Sequence, residues 1–177
     1  SPVRSRSPAP FFCLVIFHVS KREHRIGVIS DTHGLLRPEA VKALRGSEMI
    51  LHAGDIGNER IIPELRKIAP VVAIRGNIDQ GRVAEEFPAT NVAEVDGLSF
   101  YLLHNRRMLD LKPDISGFAA VIYGHSHKPE FYFENDVLFF NPGSAGPRRF
   151  SLPISLGRIV IRAGELYPEI VELAVAK

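Results

Sequence analysis

An apolar run that stops on a charged turn constrains this chain more than any bulk property does. In Arg25 to Gly34, RIGVISDTHG, the residues Ile26, Val28 and Ile29 suit a strand buried in a parallel sheet, and Asp31-Thr32-His33-Gly34 then breaks it. Asp31 and His33 project to the same side if the backbone stays extended, which places a metal-ligand pair at the carboxyl end of a strand. Alone, an Asp-x-His pair is equally well read as a turn or N-cap with an incidental histidine. It does not stand alone: the design recurs as LHAGD at 51–55, AIRGN at 73–77, YLLHN at 101–105 and VIYGHSH at 121–127.

Between these runs the pattern is that of a sheet covered by helices. Pro38 can open a helix with Ala40, Val41, Ala43 and Leu44 on its apolar face, and Gly46 ends it. Met49 to Ala53 reads as a second strand, closed by Gly54-Asp55. Asn58 is expected to cap a helix through Ile68, with Ile61, Ile62, Leu65 and Ile68 on one face, and Val71 to Ile74 gives a third strand closed by Gly76-Asn77. This βαβαβ order predicts a parallel sheet.

The second half changes to hairpins. Asn91 to Val95 and Leu98 to His104 flank Asp96-Gly97, Phe131 to Glu134 and Val137 to Phe140 flank Asn135-Asp136, and Ile154 to Ile161 and Leu166 to Val171 flank Ala163-Gly164. Asp110 to Phe118 is expected to be a polar connection with a short helix, leading to a strand at Ala119 to Tyr123. The predicted class is α/β, two sheets packed face to face with helices outside, in one domain of residues 25–177 without internal repeats.

Composition excludes several functions. A chain of 177 residues with 45% apolar and 24% charged residues is large enough to bury a core without staples. A net charge of +2 supplies no field for nucleic acid, and Glu85-Glu86 would repel a polyanion. The single Cys13 excludes an internal disulfide and a cysteine zinc cage, and fits a reducing, cytoplasmic setting. Residues 1–24 form a basic, Ser/Pro-rich extension, expected to be poorly ordered, whose apolar run Phe11 to Phe17 is too short to span a bilayer. His18 and His24 belong to it and are not expected to be ligands.

The polar residues at the strand ends are Asp31, His33, Asp55, Asn77, His104, His125 and His127. All reach one rim of the sheet, where open α/β folds bind ligands. Two carboxylates, four imidazoles and an amide, with one carboxylate shared, fit two divalent metal ions, and Asp55 on a central strand suits the shared position. The sulfur-free N/O set suits manganese, iron, zinc, nickel or cobalt rather than calcium.

Asp-x-His, Gly-Asp, Gly-Asn, a strand-end His and Gly-His-x-His, in this order from Ile26 to Ile161, resemble the binuclear metallophosphoesterases, in particular the small bacterial and archaeal calcineurin-like phosphodiesterases. The resemblance implies a four-layer α-β-β-α sandwich of two mixed sheets. It implies Asp31, His33, Asp55 and His127 around one metal, and Asp55, Asn77, His104 and His125 around the other. Catalysis would centre on Asp55, Asn77 and His104, using manganese or nickel. Two cations roughly 3.5 to 4 Å apart would activate a bridging hydroxide for attack on a small phosphoester. A homodimer is compatible with the resemblance, and the aromatic residues Phe131, Tyr132, Phe133, Phe139 and Phe140 suit either its interface or the core.

Two departures stand out. Ile78 and Asp79 follow Asn77 where larger relatives carry a histidine, so protonation of the leaving group has no evident owner and acidic leaving groups are expected to be favoured. Asn105 follows His104 where the family has a small residue. Asn141-Pro142-Gly143-Ser144 is expected to be a structural turn near the rim. Arg148-Arg149 could attract a phosphate, but a solvated loop is the commoner fate of such a pair; His52 reads as a packed histidine or one that supports a ligand from behind, and Asp79 as either a ligand-orienting residue or a turn cap. The rival function is a non-catalytic protein-interaction scaffold of the same fold, as a retromer subunit exemplifies. A phosphomonoesterase or nuclease with the same metal core is a further alternative, against which the short loops argue.

Overall fold

A computed structural model describes residues 22–175. Residues 1–21, with Phe11 to Phe17 and His18, lie outside the described residues, as do 176 and 177. Strand β1 (His24–Ile29) already includes His24, one residue inside the stretch assigned to the extension, because His24 is in register opposite Ile161. The elements that follow are α1 (Pro38–Leu44), β2 (Met49–His52), α2 (Ile61–Arg66), β3 (Val71–Ala73), α3 (Gly81–Glu86), β4 (Thr90–Val95), β5 (Leu98–Leu103), β6 (Ala120–Ile122), β7 (Glu130–Glu134), β8 (Val137–Asn141), β9 (Ser155–Arg162) and β10 (Glu165–Glu172).

The strands form two mixed five-stranded sheets, ordered β10-β9-β1-β2-β3 and β4-β5-β6-β8-β7. β1, β2 and β3 run parallel, as the βαβαβ pattern requires, and β9 joins β1 antiparallel. The chain thus returns at its end to complete the sheet with which it began. In the second sheet β5, β6 and β8 are parallel, with β4 and β7 as antiparallel edges.

Side-chain alternation divides the apolar residues into three layers. Ile26, Val28, Leu51, Phe100, Leu102, Leu138 and Phe140 fill the space between the sheets. Ile29, Ile50 and the buried faces of α1, α2 and α3 pack on the outside of the first sheet. Leu103, Val121, Tyr123, Val137 and Phe139 line the outside of the second. The α-β-β-α plan is therefore present, with a thin fourth layer: a 3-10 turn at Arg106–Met108 and the turns after it. The Arg106 guanidinium lies 5.1 and 5.4 Å from the ring centres of Tyr132 and Phe139 and covers part of that face.

Local chemistry explains where the elements differ from expectation. Asn58 accepts the Arg60 N–H on its side chain, so the chain turns first and α2 begins at Ile61. Asp110 to Phe118 holds a turn in which the Ser116 N–H donates to the Lys112 carbonyl, short of a regular helix, and a 3-10 turn precedes it at Arg106–Met108, initiated by Asn105, whose side chain accepts the Arg107 N–H. Between β3 and β4 the chain forms α3, anchored by buried Val83 and Phe87 and by Arg75, which donates to the carbonyls of Ala84 and Phe87. The aromatic hairpin serves neither expected role alone. Phe140 is in the core, Phe139 stacks on Tyr132 outside the second sheet, and Phe131 and Phe133 are exposed.

Candidate metal centre

At the carboxyl ends of β1, β2 and β3 the chain leaves the sheet, and the departing loops bond to one another. The N–H groups of Asp31, His33 and Gly34 donate to the carbonyls of Gly54, Asp55 and Ile56 at 3.0, 3.0 and 2.8 Å. Backbone φ is +53° at Asp31, +46° at His33, +52° at Asp55, +69° at His125 and +58° at His127. Residues other than glycine adopt this left-handed region at a cost, and concentrate in it at functional sites. Asp31 and His33 thus converge through a strained turn, not through the extended alternation expected from their spacing. The turn is enforced by the zipper of loop hydrogen bonds, which pairwise spacing does not reveal.

The side chains of Asp31, His33, Asp55, His104 and His127 meet at one place. His127 Nε2 lies 3.4 Å from Asp31 Oδ1 and 3.3 Å from His33 Nε2, His33 Nε2 lies 3.8 Å from Asp55 Oδ2, and His104 Nε2 lies 3.2 Å from Asp55 Oδ1. Two groups have donor atoms mutually close enough to hold an ion: Asp31, His33 and His127, and Asp31, Asp55 and His104. Asp31 belongs to both groups, and Asp55 also faces both, with Oδ2 towards His33 and Oδ1 towards His104. Asn77 and His125 stand on the exposed rim, with Asn77 Oδ1 2.9 Å from His125 Nδ1.

Neighbouring residues aim these donors. The Nδ1 of His104 lies 2.7 Å from the Ala53 carbonyl and donates to it, which fixes the tautomer and turns a bare Nε2 to the site. Ser30 donates to Asp31 Oδ2 at 2.7 Å, and the His125 N–H adds a bond to the same oxygen. The Asp79 carboxylate accepts the N–H groups of Ile56, Gly57 and Gly76 and ties the Asp55 loop to the Asn77 loop. Asn141 donates to the Gly124 carbonyl and to Ser126 Oγ, holding the loop of His125 and His127, while Ser144 donates to the Asp31 carbonyl. The Asn-Pro-Gly-Ser stretch is thus a structural turn that joins two ligand loops. His52 is fully buried; its Nε2 is 3.0 Å from Thr32 Oγ1 and its Nδ1 accepts the Gly54 N–H.

The electrostatics are those of donors crowded without water. Burial raises the Asp31 pKa to about 6, against the lowering effect of Ser30. Burial also opposes the charge on Asp55, but contact with His104, the Ile78 N–H and His33 outweighs it and holds that carboxyl below its usual value. Burial pushes His127 down to about 4, with His33 and the Arg149 guanidinium adding to the effect, and lowers His33 as well. His104 moves the other way: the burial penalty is outweighed by the nearby Asp55 carboxylate and by the bond to the Ala53 carbonyl, so its pKa is raised.

A divalent ion fits this donor set. Asp31 Oδ1 and His104 Nε2 are buried and lack an aligned hydrogen-bond partner, a costly state for polar atoms unless a cation takes their lone pairs. Ser30 and Phe150 around the centre carry no signal in the sequence, and of the two fates open to the Arg148-Arg149 pair, Arg149 takes the place beside the centre.

Two mixed sheets carrying a rim of Asp, His and Asn donors define a metallophosphoesterase-type fold and site. The chain belongs to the calcineurin-like phosphoesterase superfamily, whose domain model matches residues 25–164. A probable metallophosphoesterase of Methanothermobacter thermautotrophicus is 36% identical over 143 residues, 72% of this chain and 81% of the relative. The solved structure of an archaeal phosphodiesterase is 26% identical with a TM-score of 0.70, covering 83% of this chain and 99% of that one. Vacuolar protein sorting 29 of Cryptosporidium parvum has the same fold at 17% identity, with a TM-score of 0.68 over 85% of this chain and 98% of its own. Membership implies divalent metal ions. Among the described residues no helix is long and apolar enough to cross a membrane.

Proposed function

We propose that the protein is a binuclear metal-dependent phosphodiesterase that hydrolyses small phosphoesters with water as nucleophile. The observation that carries this reading is the convergence of Asp31, His33, Asp55, His104 and His127, with a buried oxygen of Asp31 left free of hydrogen bonds. Asp31, His33, Asp55 and His127 would hold one ion, and Asp55 and His104, with Asn77 and His125 from the rim, the other, the two oxygens of Asp55 facing His33 and His104. Two such ions supply an acidified water and neutralise charge at the phosphoryl oxygens.

The chain's own residues do the rest. Asp55 is kept ionised by its neighbours, so it offers full negative charge to a cation at neutral pH. His104 is held as the Nδ1–H tautomer by Ala53 and presents its Nε2 lone pair. Asn77 adds an amide oxygen without charge, which leaves the centre electrophilic. Manganese and nickel suit this hard and borderline donor set. The cleft is open and of about 350 Å³, room for a small ester and not for a folded macromolecule. The likeness to a solved archaeal phosphodiesterase supports the diester class.

The test strips metal and adds back manganese, nickel, zinc or magnesium, then measures hydrolysis of a chromogenic phosphodiester and its monoester, with Asp55→Asn as control. Metal-dependent diester turnover that falls on the order of a hundredfold or more in the variant is expected. Absence of turnover with two ions bound by elemental analysis would replace this reading with a non-catalytic scaffold. A monoester preference would make the protein a phosphomonoesterase.

A further inference from the structure

The cleft over the centre has one wall that the metal chemistry does not use. It is lined by Arg149, Phe150 and Leu152 from the segment between β8 and β9, with Ile78 facing from the β3 loop. Phe150 is 92% exposed, the most exposed of the large apolar side chains in the described residues. Its φ is +52°, a left-handed backbone that an aromatic residue rarely adopts. Exposure and strain together at a site rim are the marks of a residue kept for contact with a ligand.

The wall is built, not loose. Ser144 pairs with Ile154, the Ser155 N–H donates to the Ser144 carbonyl, and the Ala145 N–H donates to the Ser30 carbonyl beside Asp31. Arg37 Nε donates to the Gly146 carbonyl, and a β-carbon at Gly146 would meet the carbonyls of Asp31 and Thr32. The start of the segment is therefore fixed to the Asp31 loop and its end to Ser144, and a turn closed by the Leu152 N–H on the Arg149 carbonyl, at 3.1 Å, carries Phe150 at its tip.

Arg149 complements it. Arg149 has no carboxylate partner among the described residues, and it lines the same cleft as His33, Asp55 and His127. A free guanidinium beside a phosphoester site can take a non-bridging phosphate oxygen. On the other side of His125 and Ser126 the surface continues with Asn105, Arg107, Tyr123 and Glu130. The side holding Phe150, Ile78 and Leu152 differs in offering an aromatic ring that is 92% exposed.

Resting on the phosphoesterase reading, we propose that Arg149 and Phe150 form the specificity wall of this site, selecting phosphodiesters that carry a planar aromatic group. Arg149 binds the phosphate, and Phe150 stacks on the ring while Ile78 and Leu152 flank it. Aryl esters and nucleotides share this chemistry.

Equilibrium binding tests it without depending on turnover. The metal-loaded protein is titrated by calorimetry with ethylphosphonate, phenylphosphonate and thymidine 5′-monophosphate, as wild type, Phe150→Ala, Arg149→Ala and Arg149→Lys. Phenylphosphonate is expected to bind about tenfold more tightly than ethylphosphonate, and the ratio to fall to about one in Phe150→Ala while ethylphosphonate affinity holds. Arg149→Ala weakens both phosphonates by about tenfold, and Arg149→Lys recovers part of the loss. Binding of the nucleotide more tightly than phenylphosphonate assigns nucleotides, and weaker binding assigns aryl esters. Equal affinity for the two phosphonates in the wild type, no binding, or a preference that survives Phe150→Ala overturns the proposal. An aryl preference in a protein that hydrolyses no diester would sink the phosphodiesterase reading alone, and turnover without preference would sink the wall alone.

Discussion

Gly76 packs so closely on Asp55 that a β-carbon at position 76 would occupy the space of Asp55 Oδ1 and of the Asp55 amide nitrogen. The Gly of the Gly-Asn pair is therefore a packing requirement of the neighbouring ligand, not of its own turn. Gly124, before His125, stands in the same relation to Ser30 and Asp31. Gly76→Ala is expected to displace the Asp55 carboxylate, lowering metal affinity and turnover by at least tenfold while the fold survives. Manganese titration and circular dichroism of the variant would show it; wild-type affinity would refute the packing argument.

The carboxylate of Asp79 satisfies three backbone N–H groups in a nearly dry place. In Asp79→Asn one acceptor oxygen becomes an NH2 group facing a donor. The expected loss is about 2 to 4 kcal/mol of stability and ten- to a hundredfold in metal affinity, because the Asp55 and Asn77 loops come apart. Urea denaturation and calorimetric titration measure the two effects, and a change in neither would show that Asp79 is merely a surface cap.

His52 should make the metal-free protein acid-sensitive. Burial drives its folded pKa down to about 3, well below the ordinary histidine value of 6.5. Between these values the unfolded chain binds the proton and the folded one does not, so stability is intact above about pH 6.5 and declines as pH falls. Going from about pH 7.5 to about pH 5 should cost on the order of 2 kcal/mol through this residue. The comparison is the pH dependence of the urea midpoint in wild type and His52→Gln. Parallel curves would exclude His52 as the cause.

Three hairpins turn through paired left-handed residues: Asp96-Gly97, Asn135-Asp136 and Ala163-Gly164. Such turns favour Asn, Asp or Gly at the first position, and Ala163, exposed at φ +53°, lacks their tolerance of that conformation. Ala163→Asn should stabilise the protein by about 0.5 to 1 kcal/mol, raising Tm by roughly 1 to 4 °C. A lower Tm would contradict the strain assigned to Ala163.

Much of this was readable in order along the chain. The hairpins were legible because their turns need particular residues, and the parallel strands because both faces are buried and the apolar runs are unbroken. The helices were less so: α3 rests on just Val83 and Phe87, too few to set a period, and the Arg106–Met108 turn depends on a cap by Asn105.

The seven candidate ligands could be singled out because strand ends carry residues with no place in a core. How they meet could not. Asp31 joins both donor groups because the β1 and β2 loops zip together, and His104 points as it does because of Ala53, far away in sequence.

The sequence by itself determined which donors reach the rim of a two-sheet α/β fold, since apolar runs and their breaks are local. Only the tertiary structure decided which donors share a centre, which residues aim them, and that Arg149 and Phe150 stand over it. Those relations are made by loops from different strands, and their distances follow from packing between segments, which local pattern does not encode.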